Sequence, residues 1–329
     1  PNGVMALETL IDQAAYAIKM DPVEFRLKNL NLEGSPDTKQ PFSNPGIATC
    51  INEAAKAIGW KDKWHAPKAK EVRPGVFHGI GLAAVACSHG GGSPTASGVC
   101  VVTGDGSLQI ISACNEIGSG ERTLMAMIAA ETVGMPFESA SITAEVDTDF
   151  TSDTNGSFGS IQTNTGGWGI YQAAADAKRQ LLDWGAKKFV DDAKKATPSQ
   201  TITVKPEELD VVNGFVVFKS DPNKKLPVAQ VVQFSTGPVI GRGVHLQDPT
   251  WQRIAYGTHA AEIEVDTLTG SIKVLKYVAV HDVGRALNPL ALENQIGGGA
   301  IMGLGAALTE EMLIDKATGL PLNDNILDY

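Results

Sequence analysis

Three two-residue turn signals constrain this chain most: Asp105-Gly106, Asn213-Gly214 and Thr269-Gly270, each lying between runs of strand-forming residues. A glycine-containing pair of this kind closes a hairpin whose strands keep their natural twist. The expected antiparallel partners are residues 99–103 with 108–114, the two halves of 208–219, and 259–265 with 272–281. Further strands are expected at 76–87 and 139–146. Apolar residues recur at helical spacing over 4–18, 123–133 and 168–190, with Leu124, Met127 and Ile128 facing inward in the second. Asp21, Pro22 and Glu24 start a short helix reaching about residue 30. Gly59 closes a helix over Ile47–Ile58, and Pro289–Leu308 reads as a glycine-rich helix. Hairpins interspersed with helices imply an α+β chain, with mixed or antiparallel sheets backed by packed helices. Residues 34–45 and 61–74 are polar connectors, which places a boundary after Pro74.

The 329 residues carry a net charge of −10, which argues against nucleic acid, whose phosphates need a basic surface. Basic residues gather at 61–70 and 187–195, but acidic and small residues dilute both clusters into solvated faces. Cys50, Cys87, Cys100 and Cys114 form no CxxC and no Cys/His pair at metal-ligand spacing, so no direct metal ligand is expected. Scattered thiols without a leader pattern point to a reducing, cytoplasmic setting. The longest mostly apolar stretch, 296–308, is too short to span a bilayer and holds five glycines. His78-Gly79-Ile80-Gly81-Leu82-Ala83-Ala84 has the spacing of a dinucleotide-binding turn, yet the run from Val85 to Gly92 is no helix, so that reading fails. Pro1-Asn2-Gly3 leads straight into a helix, and the stretch from Asn325 to Tyr329 reads as strand. A segment of something longer, or a processed piece, is therefore expected.

Three loops rich in glycine and polar residues each precede a helix. The most unusual runs from Asp147 to Gly167, with Phe150, Phe158 and Ile161 as its only bulky apolar residues. Hydroxyls and glycines ahead of a helix N-terminus have the chemistry of an anion site, although composition alone favours a solvated surface loop. The second is Asn115-Glu116-Ile117-Gly118-Ser119-Gly120-Glu121. The third runs from His281 to Pro289, ahead of the helix that bears Gln295 and Gly297-Gly298-Gly299. Three such loops suggest amides and helix N-termini converging on a polyanionic or hydrogen-bond-rich ligand. Plainer readings stand beside this one: Asp282 and Arg285 as an ion pair, His89 and His281 as hydrogen-bonded rather than catalytic, Ser157 as a helix cap, and Trp168 as core.

These residues carry a family resemblance. The opening helices ending in Asp21-Pro22-Val23-Glu24-Phe25-Arg26-Leu27-Lys28-Asn29-Leu30, the 116–120 loop, Asn155-Gly156-Ser157 and the 280–289 motif followed by Gln295 occur in order. The chain resembles the molybdopterin-binding subunit of the xanthine dehydrogenase (molybdenum hydroxylase) family over nearly its whole length. Its nearest look is to 4-hydroxybenzoyl-CoA reductase-like members. The resemblance implies a fold of the molybdenum-cofactor-binding domain type. Residues 1–74 would be the end of a first, helical cofactor-binding domain plus linker, and 75–329 a second, C-terminally incomplete one.

The resemblance also implies roles. Thr154, Asn155, Gly156, Ser157, Phe158, Gly159 and Ser160 would offer amides and hydroxyls to the phosphates of a pterin cytosine dinucleotide. Gln295 would hydrogen-bond the pterin. Gly118, Ser119 and Gly120 occupy the cofactor-contacting loop, with Ser119 where the family usually has Gln. A hydroxyl is shorter than that amide and cannot reproduce its paired bonds. The family's early glycine loop, its Arg-containing substrate loop and its general-base Glu have no counterpart here, so no catalytic residue is expected in this chain. The implied whole is a multi-subunit oxidoreductase acting on an aromatic, N-heterocyclic, aldehyde or acyl-CoA substrate, by hydroxylation with water or by reductive dehydroxylation. Its implied partners are another molybdopterin-binding chain or segment, a [2Fe-2S] subunit and an FAD subunit. Two rival readings are a scaffold subunit that kept the fold without metal, and a generic α+β domain for a phosphate-bearing nucleotide.

Overall fold

The computed structural model describes residues 2–88, 96–143, 151, 156–199, 201–245 and 250–327. In chain order the elements are α1 (Asn2–Ala17), α2 (Pro22–Lys28), α3 (Ile47–Ile58), α4 (Trp60–Lys63), β1 (Glu71–Arg73), β2 (Val76–Ser88), β3 (Ser97–Val102), β4 (Leu108–Ile111), α5 (Glu121–Val133) and β5 (Ala140–Ile142). There follow α6 (Gly166–Ala196), β6 (Leu209–Val212), β7 (Phe215–Phe218), β8 (Asp221–Pro227), α7 (Val228–Phe234), β9 (Val239–Val244), β10 (Ile254–Asp266), β11 (Ile272–Asp282) and α8 (Pro289–Leu308). No helix among the described residues is long and apolar enough to cross a membrane.

The chain forms two compact units, one built from residues 1–88 and 249–329, the other from 89–248. The sequence boundary after Pro74 therefore falls inside the first unit. Its sheet has the order β1-β2-β10-β11, and β2 pairs with β10 along its whole length. The glycine-rich stretch from His78 to Ala84 lies within β2, in line with the rejection of a nucleotide turn.

α3 packs Ile47, Cys50, Ile51, Ala54 and Ile58 on this sheet against Leu82, Tyr256 and Ala260. Gly59 ends it in a left-handed conformation (φ 85°) that returns its N–H to Ala55 and Lys56, as a glycine cap does. The Asp21 carboxylate caps α2, accepting from Val23 N at 2.7 Å and Glu24 N at 3.2 Å. A buried ion pair ties α1 and α2 to the sheet. The Arg26 guanidinium donates to Glu8 Oε2 at 2.9 and 3.0 Å and to Asp12 Oδ1 at 2.7 Å. That same Glu8 oxygen accepts the Ala84 N–H of β2 at 2.8 Å. Removing one partner of such a pair strands a buried charge at a cost of about 3–5 kcal/mol.

The second unit has a sheet of order β5-β4-β3-β9, in which β4 and β5 run parallel, and a three-stranded meander, β6-β7-β8. The Asp105-Gly106 turn closes β3 onto β4, with Thr103 N bonded to Ser107 O at 2.9 Å. Asn213 (φ 48°) and Gly214 (φ 80°) supply the two positive angles that the β6–β7 hairpin needs. α5 and α6 lie on the first sheet over a core that includes Cys100, Leu108, Ile110, Met125, Ile170 and Leu181.

α6 presses close because β9 reads Val-Ile-Gly-Arg-Gly-Val with both glycines inward. A Cβ on Gly241 would stand 2.0 Å from Ala173 O, and one on Gly243 2.2 Å from Gly169 O. Two expectations change here. α5 buries Met125, Ala126, Ala129, Ala130 and Val133, so its inward face is turned from Leu124 and Met127, which are only partly covered, while Ile128, half-buried, packs against that core as expected. Trp168 is 44% exposed rather than core, stacked beside His245 at the start of α6. Elsewhere, β4 ends at Ile111, and residues 325–327 form a bend and turn rather than a strand.

Candidate functional site

In the second unit the 116–120 loop is folded around its own acid. The Glu116 carboxylate accepts the backbone N–H groups of Gly118 at 2.8 Å, Gly120 at 2.9 Å and Arg122 at 3.2 Å. Burial raises the carboxyl pKa, but hydrogen bonds from Gly120, Arg122, Gly118 and Ser119 outweigh it and hold the group below the usual carboxylate range. This corrects the expectation of an amide nest in this loop, because those donors already serve Glu116. What the loop keeps is the Ser119 hydroxyl, whose oxygen is shut off from solvent and finds no partner among the described residues. Leaving a buried hydroxyl unpaired costs about 1–3 kcal/mol, which a ligand's hydrogen bond would recover. Gly118, at φ 95°, has open space where a side chain would stand.

The second polar loop is tied to the first. Ser157 Oγ donates to Asn115 O at 3.0 Å, so this serine joins the two loops instead of capping a helix. Gln162, buried, donates Nε2–H to Gly156 O at 2.6 Å and holds the loop from below. Gly159 (φ 55°) and Ser160 (φ 59°) follow each other in the left-handed region, and both are exposed, as is Phe158 at 62%. Thr154, Asn155, Phe150 and His89 lie outside the described residues. Thr165, at the start of α6, makes no side-chain cap bond.

The third loop belongs to the first unit. Asp282 Oδ1 accepts from Gly284 N at 2.9 Å and from Asn44 Nδ2 at 3.1 Å. Asn288 caps α8 by accepting from Ala291 N at 3.2 Å. Gln295 is exposed on α8, next to glycines 297–299, around which a Cβ would meet nothing within 4 Å. His281 is hydrogen-bonded, as the plainer reading had it, at 2.7 Å from His259.

No group of three or more His, Cys, Asp or Glu able to hold a metal occurs among the described residues. Burial pushes the Cys100 thiol up to about 12, and burial with Glu121 and Glu116 nearby does the same for Cys114, so both are inert at neutral pH.

Residues 53–329 match the model of the molybdopterin cofactor-binding domain. The chain belongs to that family, which in xanthine dehydrogenase-type enzymes is carried by the molybdenum-binding subunit. A xanthine dehydrogenase molybdenum-binding subunit from Escherichia coli O157:H7 is 28% identical over all of this chain and 43% of its own length. The aldehyde oxidoreductase molybdenum-binding subunit PaoC of that organism is 28% identical over 99% of the chain and 41% of its own length. This molybdopterin-binding chain thus spans less than half the length of those relatives. Among solved structures, CO dehydrogenase from Oligotropha carboxidovorans superposes with a TM-score of 0.81 at 20% identity, over all of this chain and 42% of its own. Quinoline 2-oxidoreductase from Pseudomonas putida 86 gives 0.79 at 23%, over 99% of this chain and 42% of its own. At these identities the structures speak for the fold.

The described residues fit such a cofactor in kind. Hydroxyls, amides and bare glycine backbone suit a ring system dense in hydrogen-bonding atoms, and the Ser119 hydroxyl has no partner among the described residues. Sequence reasoning missed Glu116, Gln162 and the Ser157–Asn115 link. Only Glu116 had a readable signal, a carboxylate two and four residues ahead of two glycines.

Proposed function

We propose that this chain is the cofactor-clasping part of a multi-subunit molybdenum hydroxylase-type oxidoreductase, acting on an aromatic, N-heterocyclic, aldehyde or acyl-CoA substrate. The observation that carries this reading is the Ser157–Asn115 bond, which joins two polar loops a few residues from a buried Ser119 hydroxyl that has no partner among the described residues. When bound, molybdopterin would supply the redox chemistry: water's oxygen enters the substrate as a hydroxyl while two electrons and two protons leave, or the reverse in dehydroxylation, with [2Fe-2S] and FAD partners exchanging the electrons.

The chain's own residues bind and orient. Ser119 donates or accepts one hydrogen bond at the cofactor, with Gly118 and Gly120 keeping side chains out of its way. Glu116 fixes that loop before the cofactor arrives, so little ordering cost falls on binding. Gly156, Ser157, Phe158, Gly159 and Ser160, with Thr154 and Asn155, take the phosphates of a cytosine dinucleotide. Gln295 reads the pterin edge. The general base comes from another chain or segment, so this chain alone does not turn over substrate.

A second reading is a scaffold that keeps the fold without the metal, favoured by Ser119 in place of a longer amide. Elemental analysis of the freshly isolated complex, with every co-purifying chain identified by mass, separates the two. Near-stoichiometric molybdenum with iron supports the first reading. A fully assembled complex without molybdenum establishes the second.

A further inference from the structure

Two imidazole pairs sit on the sheet of the first unit, and they differ in one respect. His65 Nε2 lies 2.8 Å from His78 Nδ1, and the outer nitrogens face Ala66 O at 2.9 Å and Glu262 Oε1 at 3.1 Å. A carbonyl and a carboxylate only accept, so neither end of that chain carries a proton to hand on and its order cannot reverse. The other pair is His259 and His281, with Nε2 to Nε2 at 2.7 Å. Its outer partner is the Tyr277 hydroxyl, 2.6 Å from His259 Nδ1. A hydroxyl donates or accepts with equal ease, so this chain has two permitted orders.

The alignment depends on an irregularity in the strands. Next to the turn, Ile263 stands opposite Val274, but Glu262 stands opposite Lys276, so Leu275 is an extra residue in β11. A bulge of this kind moves every later side chain to the other face. It puts Tyr277 opposite Ala261, Ala279 opposite His259 and His281 opposite Gly257, all on one face. Gly257 makes room for the last ring: a Cβ there would stand 2.9 Å from His281 Cε1. On this face the neighbouring β2 positions opposite Ala261 and His259 are Gly81 and Ala83, small and exposed.

We propose that Tyr277, His259 and His281 form a proton relay on the open face of the β2–β10–β11 sheet, running between solvent and the loop that begins at Asp282. In the export step a proton binds His281 Nδ1 as that ring passes its Nε2 proton to His259 Nε2. His259 gives its Nδ1 proton to Tyr277 Oη, and Tyr277 releases its own to solvent. One proton enters, one leaves, and no electrons move. Each imidazole must be neutral, with one N–H and one lone pair. Burial, joined at His259 by the neighbouring His281, lowers both histidine pKa values, and burial keeps Tyr277 protonated. The task of the relay rests on the proposed function, because oxidising a substrate with water liberates protons that must leave.

The test uses the assembled complex. His259→Gln keeps a donor and an acceptor in place but cannot exchange them. It should slow turnover and indicator-monitored proton release together, by about a hundredfold, at the low end of what positioned proton transfer contributes. In His259→Ala, added imidazole should restore part of the loss, which a merely structural role would not allow. Unchanged turnover and proton release in His259→Gln overturn the relay. A second readout needs no activity: solid-state NMR of the 15N-histidine-labelled complex. A relay shows His259 exchanging between Nδ1–H and Nε2–H forms, whereas a single fixed tautomer overturns it. If the complex holds no molybdenum, the proposed function fails, and the tautomer measurement still decides the relay.

Discussion

α6 and α8 are both long, glycine-bearing helices that follow a polar loop, and they use glycine in opposite ways. In α6, Gly166, Gly167, Gly169 and Gly185 are buried, and the helix sits on further glycines of the sheet beneath it. In α8 only Ala300 is buried, and a Cβ on Gly297, Gly298, Gly299 or Gly303 would meet nothing within 4 Å. One set brings two backbones of the same unit together. The other leaves backbone bare. Glycine in a helix loses propensity either way, and only α6 recovers that loss in packing inside its own unit.

The sharpest way to break the comparison is to add one methyl group under α6. Gly241→Ala places carbon 2.0 Å from Ala173 O and 2.5 Å from Ala177 N, both backbone atoms that cannot swing aside. Overpacking of this kind should cost about 3 kcal/mol, the upper part of its usual range. Urea unfolding of the chain measures it, and a change under about 0.5 kcal/mol, ordinary for a surface site, would show that α6 does not depend on close approach.

Helix entry gives the next two tests. Glu116→Gln removes the charged acceptor ahead of α5. After allowance for exposure, the amides of 118–122 should lose about tenfold in hydrogen-exchange protection. The wild-type sign follows from the depressed pKa of Glu116. Its contribution is complete above the unfolded carboxylate value of about 4.3 and is lost as pH falls through the lower folded value. Protection at neutral pH equal to wild type would refute the clamp. Asn288→Ala removes the cap of α8, at a cost of about 1 kcal/mol. Thr165→Ala at the entry to α6 should cost less through capping, since that hydroxyl bonds Ile161 O instead.

Much of this architecture is legible in the sequence itself. The turn pairs at 105–106, 213–214 and 269–270 are local chemistry and fall where the hairpins close. Gly59 and Asp21 cap where their side chains, or lack of one, dictate. The inward face of α5 was legible only at Ile128, because alanines bury more readily than Leu124 once another helix and a sheet press on them. The extra residue Leu275 was not either: its consequence is a change of face for Tyr277 and His281, and strand alternation carries no mark of it. The candidate loops could be found by composition. The use of the 116–120 amides by Glu116 left one mark, a carboxylate two and four residues ahead of two glycines, which composition alone does not register.

The smallest expected effect has the opposite sign from the first. Gly298→Ala in α8 meets no atom and needs no change of backbone, so in the isolated chain it should stabilise by about 0.5–1 kcal/mol through helix propensity alone. That should raise the melting temperature by about 2 °C in a chain of this size. The same substitution in the assembled, molybdenum-containing complex tells what the bare backbone is for. A drop in bound pterin, measured by its fluorescence after extraction, would mean that something approaches α8 as closely there as β9 approaches α6. Unchanged pterin content together with the higher melting temperature would mean that the glycines at this point are dispensable. A lower melting temperature in the isolated chain would contradict the open surface itself, and with it the contrast between the two helices.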